Sequence, residues 1–158
     1  MSDSPLELRR VGPELERGLA RFFAAMVAEG ADRWFHPHPF TAEHASYLAG
    51  YHGRDLYYVA VHGDEVLAYG LLRGWDEGYS VPSLGIGVLT RARGTGLARM
   101  FMQFLHTAAR FHGAPRVRLK VYPENVAAKR LYESLGYRFE AGADHQLLGF
   151  YDFVKSAA

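Results

Sequence analysis

The most constraining feature of this sequence is a glycine-containing turn between a strand-like segment and a long amphipathic helix. The segment at about 80–89 is predicted to be a strand, and from Leu97 apolar residues recur at helical spacing until about Gly113. Pro115 then enforces a break, and apolar and basic residues alternate over Arg116–Val121 as in a half-buried strand. This order of elements predicts a mixed α/β fold around one sheet.

The remaining periodicities complete one predicted domain that spans residues 1–158, a length that suits a single compact unit. Helices are predicted over about 13–28, from the Thr41 N-cap to about Ala49, and from the Asn125 cap to Gly136. The other strand-like segments are Leu6–Val11, Leu56–His62, Glu65–Arg73, Tyr137–Glu140 and Leu147–Val154. The predicted order is therefore strand, two helices, a three-stranded antiparallel meander, helix, strand, helix and two strands.

Composition excludes several classes of function. The absence of cysteine excludes a disulfide framework, a thiolate metal site and a cysteine nucleophile. The net charge of +1 gives no reason to expect nucleic acid or an anionic membrane as a partner, and the basic side chains of Arg116–Val121 are interpreted as a solvated sheet face. No apolar run approaches the roughly 18 residues that span a bilayer, and no secretory signal is evident. A cytoplasmic location is the default expectation.

The glycine-containing turn has the composition of an anion-binding loop. Gly94 and Gly96 allow the backbone to turn tightly and to approach a ligand closely. The first N–H groups of the following helix have no internal acceptor, and the helix dipole makes this end positive. Arg91 and Arg93 add positive charge, so the loop suits a phosphate, although a turn that only reverses the chain is equally compatible with the loop alone.

Two well-known phosphate loops do not fit this segment. A Walker loop requires Gly-Lys-Ser/Thr, whereas Gly96 is followed by Leu97. A dinucleotide fingerprint requires a third Gly or Ala, whereas Arg99 occupies that place.

Two motifs in this half of the chain resemble those of a known family. The run Arg93-Gly94-Thr95-Gly96-Leu97-Ala98 resembles the Arg/Gln-x-x-Gly-x-Gly/Ala motif of the GNAT superfamily of N-acetyltransferases, and 125–137 resembles its second signature, an Asn-capped helix that ends in Leu-Tyr-x-x-x-Gly-Phe/Tyr. The resemblance covers about Pro82–Phe139. It implies a mostly antiparallel sheet, flanked by helices and splayed open between the strand at 80–89 and the strand at 116–122, with acetyl-CoA in the opening.

The resemblance also implies roles for individual residues. The pyrophosphate of coenzyme A would be held by the backbone amides of Arg93, Gly94, Thr95, Gly96, Leu97 and Ala98. Main-chain groups of Ile86 and Val88 would pair with the pantetheine arm like an added strand. Asn125 would contact the pantetheine or the thioester region, and Tyr132 would be the general acid.

The chemistry of a phenol suits the role of Tyr132. A free phenol has a pKa of about 10 and a thiol one of about 8.5, so a phenol can donate a hydrogen bond or a proton to a nascent thiolate. Packing in the core beside Leu131 and Leu135 is the alternative explanation for this tyrosine.

The general base is less well defined by the sequence. Many family members carry a glutamate on the strand before the loop, but no carboxylate occurs at 80–88. Glu77 is the tentative base, with Asp76 beside it, and both also suit a solvated turn. His36 and His38 are further candidates that ordinary loop packing also explains, as are a water chain or an acceptor of low pKa. The His-x-His spacing lacks a third ligand, so no metal is expected.

An aromatic-rich stretch bears on the acceptor. Its members are Trp34, Phe35, Phe40, Tyr47, Tyr51, Tyr57 and Tyr58, joined by Trp75 and Tyr79. Aromatic rings beside a cleft can clamp a sugar ring or an apolar side chain or attract a cation, which favours a small-molecule amine as acceptor, although core packing explains most of them. The alternatives are acetylation of a protein N-terminus or lysine, and a non-catalytic acyl-CoA-binding module. A homodimer is also compatible with the family.

Overall fold

A computed structural model describes residues 3–153 of the chain and contains one seven-stranded sheet. The strands are β1 (Leu6–Arg10), β2 (Leu56–His62), β3 (Glu65–Arg73), β4 (Ser83–Val88), β5 (Arg116–Val121), β6 (Arg138–Ala141) and β7 (Leu147–Asp152). Their order across the sheet is β1-β2-β3-β4-β5-β7-β6, and every neighbouring pair is antiparallel except β4 and β5. The predicted mixed, mostly antiparallel sheet is thereby confirmed.

Four α-helices cover the two faces of the sheet. They are α1 (Glu16–Ala28), α2 (Ala42–Ala49), α3 (Leu97–Phe111) and α4 (Val126–Leu135). Helices α1 and α2 form one buried cluster with β2 and β3, and α3 packs on the opposite face of β3, β4 and β5. Each helix buries an apolar stripe of period 3.6, which in α3 includes Phe101, Leu105 and Ala109. The long connection Glu29–Thr41 joins α1 to α2 on the face of the sheet that these two helices cover.

The sheet is parted between β4 and β5. These two strands share one register pair, Ser83 with Arg118, whereas β3 and β4 share six. Beyond Ser83 the edge of β4 that faces β5 has no strand partner, so its main-chain donors and acceptors are available to a ligand. The predicted opening between these strands is confirmed, and α3 begins at its wide end.

Several predicted boundaries differ from the structure. The strand expected from about residue 80 begins at Ser83, because Pro82 has no N–H to donate to the ladder. The helix expected from residue 13 begins with a 3₁₀ turn, Pro13–Leu15, before α1. The last strand ends at Asp152, and its predicted end at Val154 lies outside the described residues, as do both ends of the predicted 1–158 domain.

Candidate active site

A cleft of about 750 Å³ occupies the opening between β4 and β5. One wall is β4, which contributes Gly85, Ile86, Gly87 and Val88, and the other is β5 with the start of α4. The connection between α1 and α2 contributes Trp34, Phe35, His36 and Pro37, and the loop before α3 lies at one end. The cleft therefore contains the two predicted pantetheine-binding positions, Ile86 and Val88.

The loop before α3 has the backbone geometry of an anion-binding turn. Gly94 and Gly96 have φ angles of 73° and 88°, in the left-handed region that favours glycine. Thr95 stabilises the turn, since its hydroxyl donates to the Ala92 carbonyl (2.6 Å) and accepts from the Leu97 amide (3.3 Å). Within residues 3–153, no backbone carbonyl accepts from the amides of Gly94, Gly96 or Ala98. These donors are left for a ligand at the positive end of the α3 dipole.

The predicted phosphate-binding residues divide into two groups. Arg93, Gly94, Gly96 and Ala98 line the cleft, whereas Leu97 is buried in the core and Thr95 acts through the loop hydrogen bonds. Arg91, which was expected to add charge beside the loop, forms an ion pair with Glu65 and is not among the lining residues. Arg99 lines the cleft in its place.

Asn125 and Tyr132 lie on the opposite wall. Asn125 occupies the N-cap position of α4, but its side chain makes no capping hydrogen bond, contrary to the predicted cap, and it lines the cleft instead. Tyr132 is 9% exposed, and burial raises the pKa of its hydroxyl to about 12. Within residues 3–153 this hydroxyl makes no hydrogen bond. Every fully buried side-chain oxygen in that range has a hydrogen-bond partner, so the Tyr132 hydroxyl oxygen is not fully buried. It therefore has access to the cleft and carries its proton at neutral pH.

The two carboxylates proposed as bases lie outside the cleft. Glu77 is exposed at the end of a 3₁₀ turn, and neither it nor Asp76 lines the cleft. Asp76 accepts hydrogen bonds from the Tyr51 hydroxyl and from the Arg54 amide (2.8 Å), and the Tyr51 bond is the main reason that the pKa of Asp76 is lowered. Asp76 thus joins two loops.

The two histidine candidates differ in position. His36 lines the cleft, where its Nε2 lies 3.0 Å from the Tyr122 hydroxyl. His38 lies in the aromatic cluster behind it: its Nδ1 donates to the Pro39 carbonyl (2.9 Å), so its Nε2 accepts from the Tyr69 hydroxyl (2.8 Å). Burial lowers the pKa of His38 to about 4, and this buried, fully bonded ring has a structural role.

The aromatic-rich stretch only partly faces the cleft. Trp34 and Phe35 line it, and Trp34 packs against Tyr122 at 5.9 Å between ring centroids. The other members lie elsewhere: Phe40 on Phe23, Tyr57 in the core, Tyr58 on Phe104, Trp75 on His112, and Tyr47, Tyr51 and Tyr79 away from the lining. Core packing therefore explains most of the stretch.

A basic lining was missed by the sequence analysis. The cleft is lined by Arg73, Arg93, Arg99, Arg118 and Lys120, and no Asp or Glu of residues 3–153 lines it. Lys120 lines the cleft but is exposed, as the interpretation of the basic side chains of β5 as a solvated face predicted. For Arg118, which is only partly exposed, this interpretation was wrong. It failed because the alternation shows that these residues share a face but not what covers that face. Arg116 is paired with Asp152 instead.

Across the part of the chain that the structure covers, no three His, Cys, Asp or Glu side chains are placed to hold a metal ion. No helix in the same range is long and apolar enough to cross a membrane.

The parted sheet, its cleft and the turn before α3 define the class of the protein as a mixed α/β fold with an open, ligand-binding sheet. The model of the Acetyltransferase (GNAT) family matches residues 23–137, which is most of the chain. The chain therefore belongs to the GNAT acetyltransferase family.

Known proteins resemble the chain in sequence and in fold. N-acetylaspartate synthetase of Rattus norvegicus is 34% identical over 92 residues, which cover 58% of this chain and 31% of that protein. The matched region spans about a third of this relative's length. The GNAT domain of S. lividans PAT has a TM-score of 0.79 at 17% identity, covering 94% of this chain and 90% of that one. The yncA protein of Salmonella typhimurium, solved with its cofactor acetyl-CoA, has a TM-score of 0.72 at 20% identity, covering 97% and 96%.

Proposed function

We propose that the protein transfers an acetyl group from acetyl-CoA to the primary amine of a small molecule. The observation that carries this proposal is a cleft with unbonded loop amides at one end and the free hydroxyl of Tyr132 in its wall. A relative with 34% identity is named N-acetylaspartate synthetase, and the similarly folded yncA was solved with acetyl-CoA, which supports both the reaction type and the cofactor.

The residues present fit coenzyme A. The amides of Gly94, Gly96 and Ala98 would hold the pyrophosphate, with the side chains of Arg93 and Arg99 nearby. The unpaired edge of β4 at Ile86 and Val88, with Asn125 opposite, would bind the amides of the pantetheine arm. When bound, acetyl-CoA supplies an activated acyl group as a thioester.

Tyr132 is proposed as the general acid. Its pKa of about 12 keeps the phenol protonated throughout the neutral range, so it can donate to a sulfur that becomes negative as the acyl group leaves. The main-chain N–H groups of the open β4 edge are proposed to stabilise the oxyanion, since they need no reorganisation to do so.

The amine must lose a proton before it attacks. Glu77, the base predicted from the sequence, lies outside the cleft, so we propose that its role passes to water or to His36, the histidine of the lining. The basic side chains around the cleft assist, because nearby positive charge lowers the pKa of an ammonium group. Acetylation of a protein N-terminus or lysine is the alternative, and the large aromatic rings of Trp34 and Phe35 in the lining favour a small acceptor.

The test is release of free CoA thiol from acetyl-CoA with a panel of small amines and short peptides, using the wild type and Tyr132→Phe. We expect turnover with a small amine, a fall in kcat of roughly 10²–10⁴-fold in the variant as for loss of a general acid, and unchanged acetyl-CoA affinity. Tyr58→Phe, outside the cleft, is the matched control and should retain full activity.

Three results would contradict parts of the proposal. Full activity of Tyr132→Phe would remove the phenol as the acid. Turnover with peptides alone would replace the small acceptor. Absence of acetyl-CoA binding by calorimetry would remove the cofactor and with it the whole assignment.

A further inference from the structure

We infer that the acceptor is a primary amine that carries a carboxylate, and that Arg73 and Arg118 bind this carboxylate. This inference rests on the proposed acetyl transfer and adds the substrate class and the residues that select it.

The first observation is a row of polar residues across three adjacent strands. Arg73 of β3 is the register partner of Ser83 of β4, and Ser83 is the register partner of Arg118 of β5. Register partners project from the same face of a sheet, and the Arg118 Nε donates to the Ser83 Oγ at 3.0 Å. The three side chains therefore form a continuous row, and all three line the cleft.

The row lies on the face of the sheet that the connection between α1 and α2 covers. A Cβ at Gly85 would lie 2.8 Å from the Phe35 ring and 3.3 Å from Leu71, so this face of β4 is covered by the connection between α1 and α2. Ser83 lies two residues from Gly85, and Arg73 two residues from Leu71, on the same face. The row therefore lies on the same face of the sheet as Phe35, next to the part of β4 that Phe35 covers.

The second observation is that the charges of the row are not compensated. Neither Arg73 nor Arg118 forms an ion pair with any residue of 3–153, although each is only partly exposed. Burial and, after it, the charge of Arg73 lower the pKa of His44. By contrast, Arg116 on the same strand and face is paired with Asp152. Arg118 also lies over the Tyr79 ring, 5.8 Å from its centroid, but an aromatic ring and a hydroxyl do not neutralise its charge. Partly buried cations without a carboxylate partner attract an anionic ligand.

The row is separate from the loop that would hold the pyrophosphate. Ser83 and Val88 are the two ends of β4, and five residues of strand span roughly 17 Å. The loop follows Val88 and has its own cations, Arg93 and Arg99. The row therefore provides a second anion-binding point at the opposite end of β4.

The chemistry of this second point favours a carboxylate. A guanidinium presents a planar pair of donors that matches the two oxygens of a carboxylate. The hydrogen bond from Arg118 Nε to the Ser83 hydroxyl fixes the orientation of the Arg118 guanidinium. The row lacks the turn of unbonded amides and the helix end that the loop before α3 offers to phosphate.

The test uses three acceptors with one carbon skeleton. L-Aspartate, L-asparagine and L-asparaginamide carry two, one and no carboxylates. With acetyl-CoA saturating, we expect kcat/KM for the better of the first two to exceed that for asparaginamide at least tenfold. Arg118→Gln and Arg73→Gln should each lower kcat/KM for this preferred acceptor ten- to hundredfold through KM, as for loss of a charged hydrogen bond. They should lower kcat/KM for asparaginamide much less and leave the KM of acetyl-CoA unchanged. Arg118→Lys should retain part of the preference.

Arg116→Gln is the matched control, because it removes a cation from the same face of β5 that does not line the cleft, and it should behave as wild type. Equilibrium binding of the three acceptors to the CoA-saturated protein is measured in parallel, so that the inference is tested even without turnover. Equal binding of all three acceptors, or a preference that survives both glutamine variants, would overturn the inference. Preferred use of O-phosphoethanolamine would overturn the choice of carboxylate over phosphate. Loss of CoA binding itself would instead refute the proposed function.

Discussion

Replacement of Gly87 by alanine tests how closely the side chain of Phe35, which lines the cleft, is packed on β4. A Cβ built at Gly87 lies 2.6 Å from Cδ2 of Phe35 and 2.8 Å from Cε of Met26. Carbon atoms at van der Waals contact are about 3.5–4.0 Å apart, so the Phe35 ring must move by about 1 Å. The flexible end of Met26 can yield, but the ring is packed between Phe40 and Tyr69 at centroid distances of 5.7 and 6.3 Å.

The expected magnitude follows from two opposing effects. Overpacking of this kind costs about 1–3 kcal/mol. Gly87 is not among the positive-φ glycines, so alanine suits its backbone, and the reduced entropy of the unfolded chain returns about 0.4–1 kcal/mol. We therefore expect Gly87→Ala to lower the free energy of unfolding by about 1–2 kcal/mol. Because Phe35 lines the cleft, the KM of the acceptor should rise while that of acetyl-CoA is retained.

A double-mutant cycle in urea denaturation isolates the contact. With Phe35→Ala as background, the clash is absent and Gly87→Ala should be neutral or slightly stabilising, which gives a coupling of about 1–3 kcal/mol. Gly50→Ala is the control: the nearest atom to its added Cβ is the Ser46 carbonyl oxygen at 3.9 Å, and its stability should change by less than about 0.5 kcal/mol. An equal cost of Gly87→Ala in both backgrounds would refute the packing argument.

Two further predictions concern stability. Burial lowers the pKa of His106 from 6.5 to about 4, so the unfolded chain binds the extra proton between these pH values and stability falls as the pH drops through this window. His38, whose pKa burial also lowers to about 4, contributes in the same window, so urea denaturation at pH 7 and pH 4 should show a loss of which His106→Asn removes up to about 3 kcal/mol. An unchanged loss in the variant would exclude His106 as a source. The buried Asp55 carboxylate accepts from the amides of Gly74 (3.0 Å), Trp75 (2.9 Å) and Asp76 (3.3 Å). Asp55→Ala should therefore cost about 2–4 kcal/mol by chemical denaturation, and a loss below about 0.5 kcal/mol would show that these amides find other acceptors.

Local sequence patterns predicted the elements and one end of the site. The apolar stripe from Leu97 placed α3 correctly because helix formation depends on neighbours three and four residues apart. The loop at Gly94 and Gly96 could also be predicted from the sequence, since a tight turn and the first turn of a helix are both determined by a few consecutive residues. β2 was predicted in the same way from its run of aromatic and β-branched residues.

The other end of the cleft depends on contacts that no local pattern encodes. The row of Arg73, Ser83 and Arg118 requires that β4 and β5 be parallel neighbours in one particular register, and in sequence these strands are separated by the whole of α3. His36 meets Tyr122 across 86 residues of sequence, so its position at the cleft could not be read from its neighbours. Glu77 was proposed because a carboxylate was sought near the strand, whereas the structure places it on an exposed turn.

The basic lining and the missing carboxylate base have a common explanation. A zwitterionic acceptor brings its own negative charge, which the row of Arg73, Ser83 and Arg118 draws into the cleft. Its ammonium group then lies among positive side chains, with no carboxylate of the described lining to stabilise it, so its pKa is lowered and the neutral amine is favoured. A resident glutamate would stabilise the ammonium and would compete with the acceptor's carboxylate for the two arginines. A cleft that selects a carboxylate-bearing amine by its cations therefore gains from the absence of the base that the sequence analysis looked for.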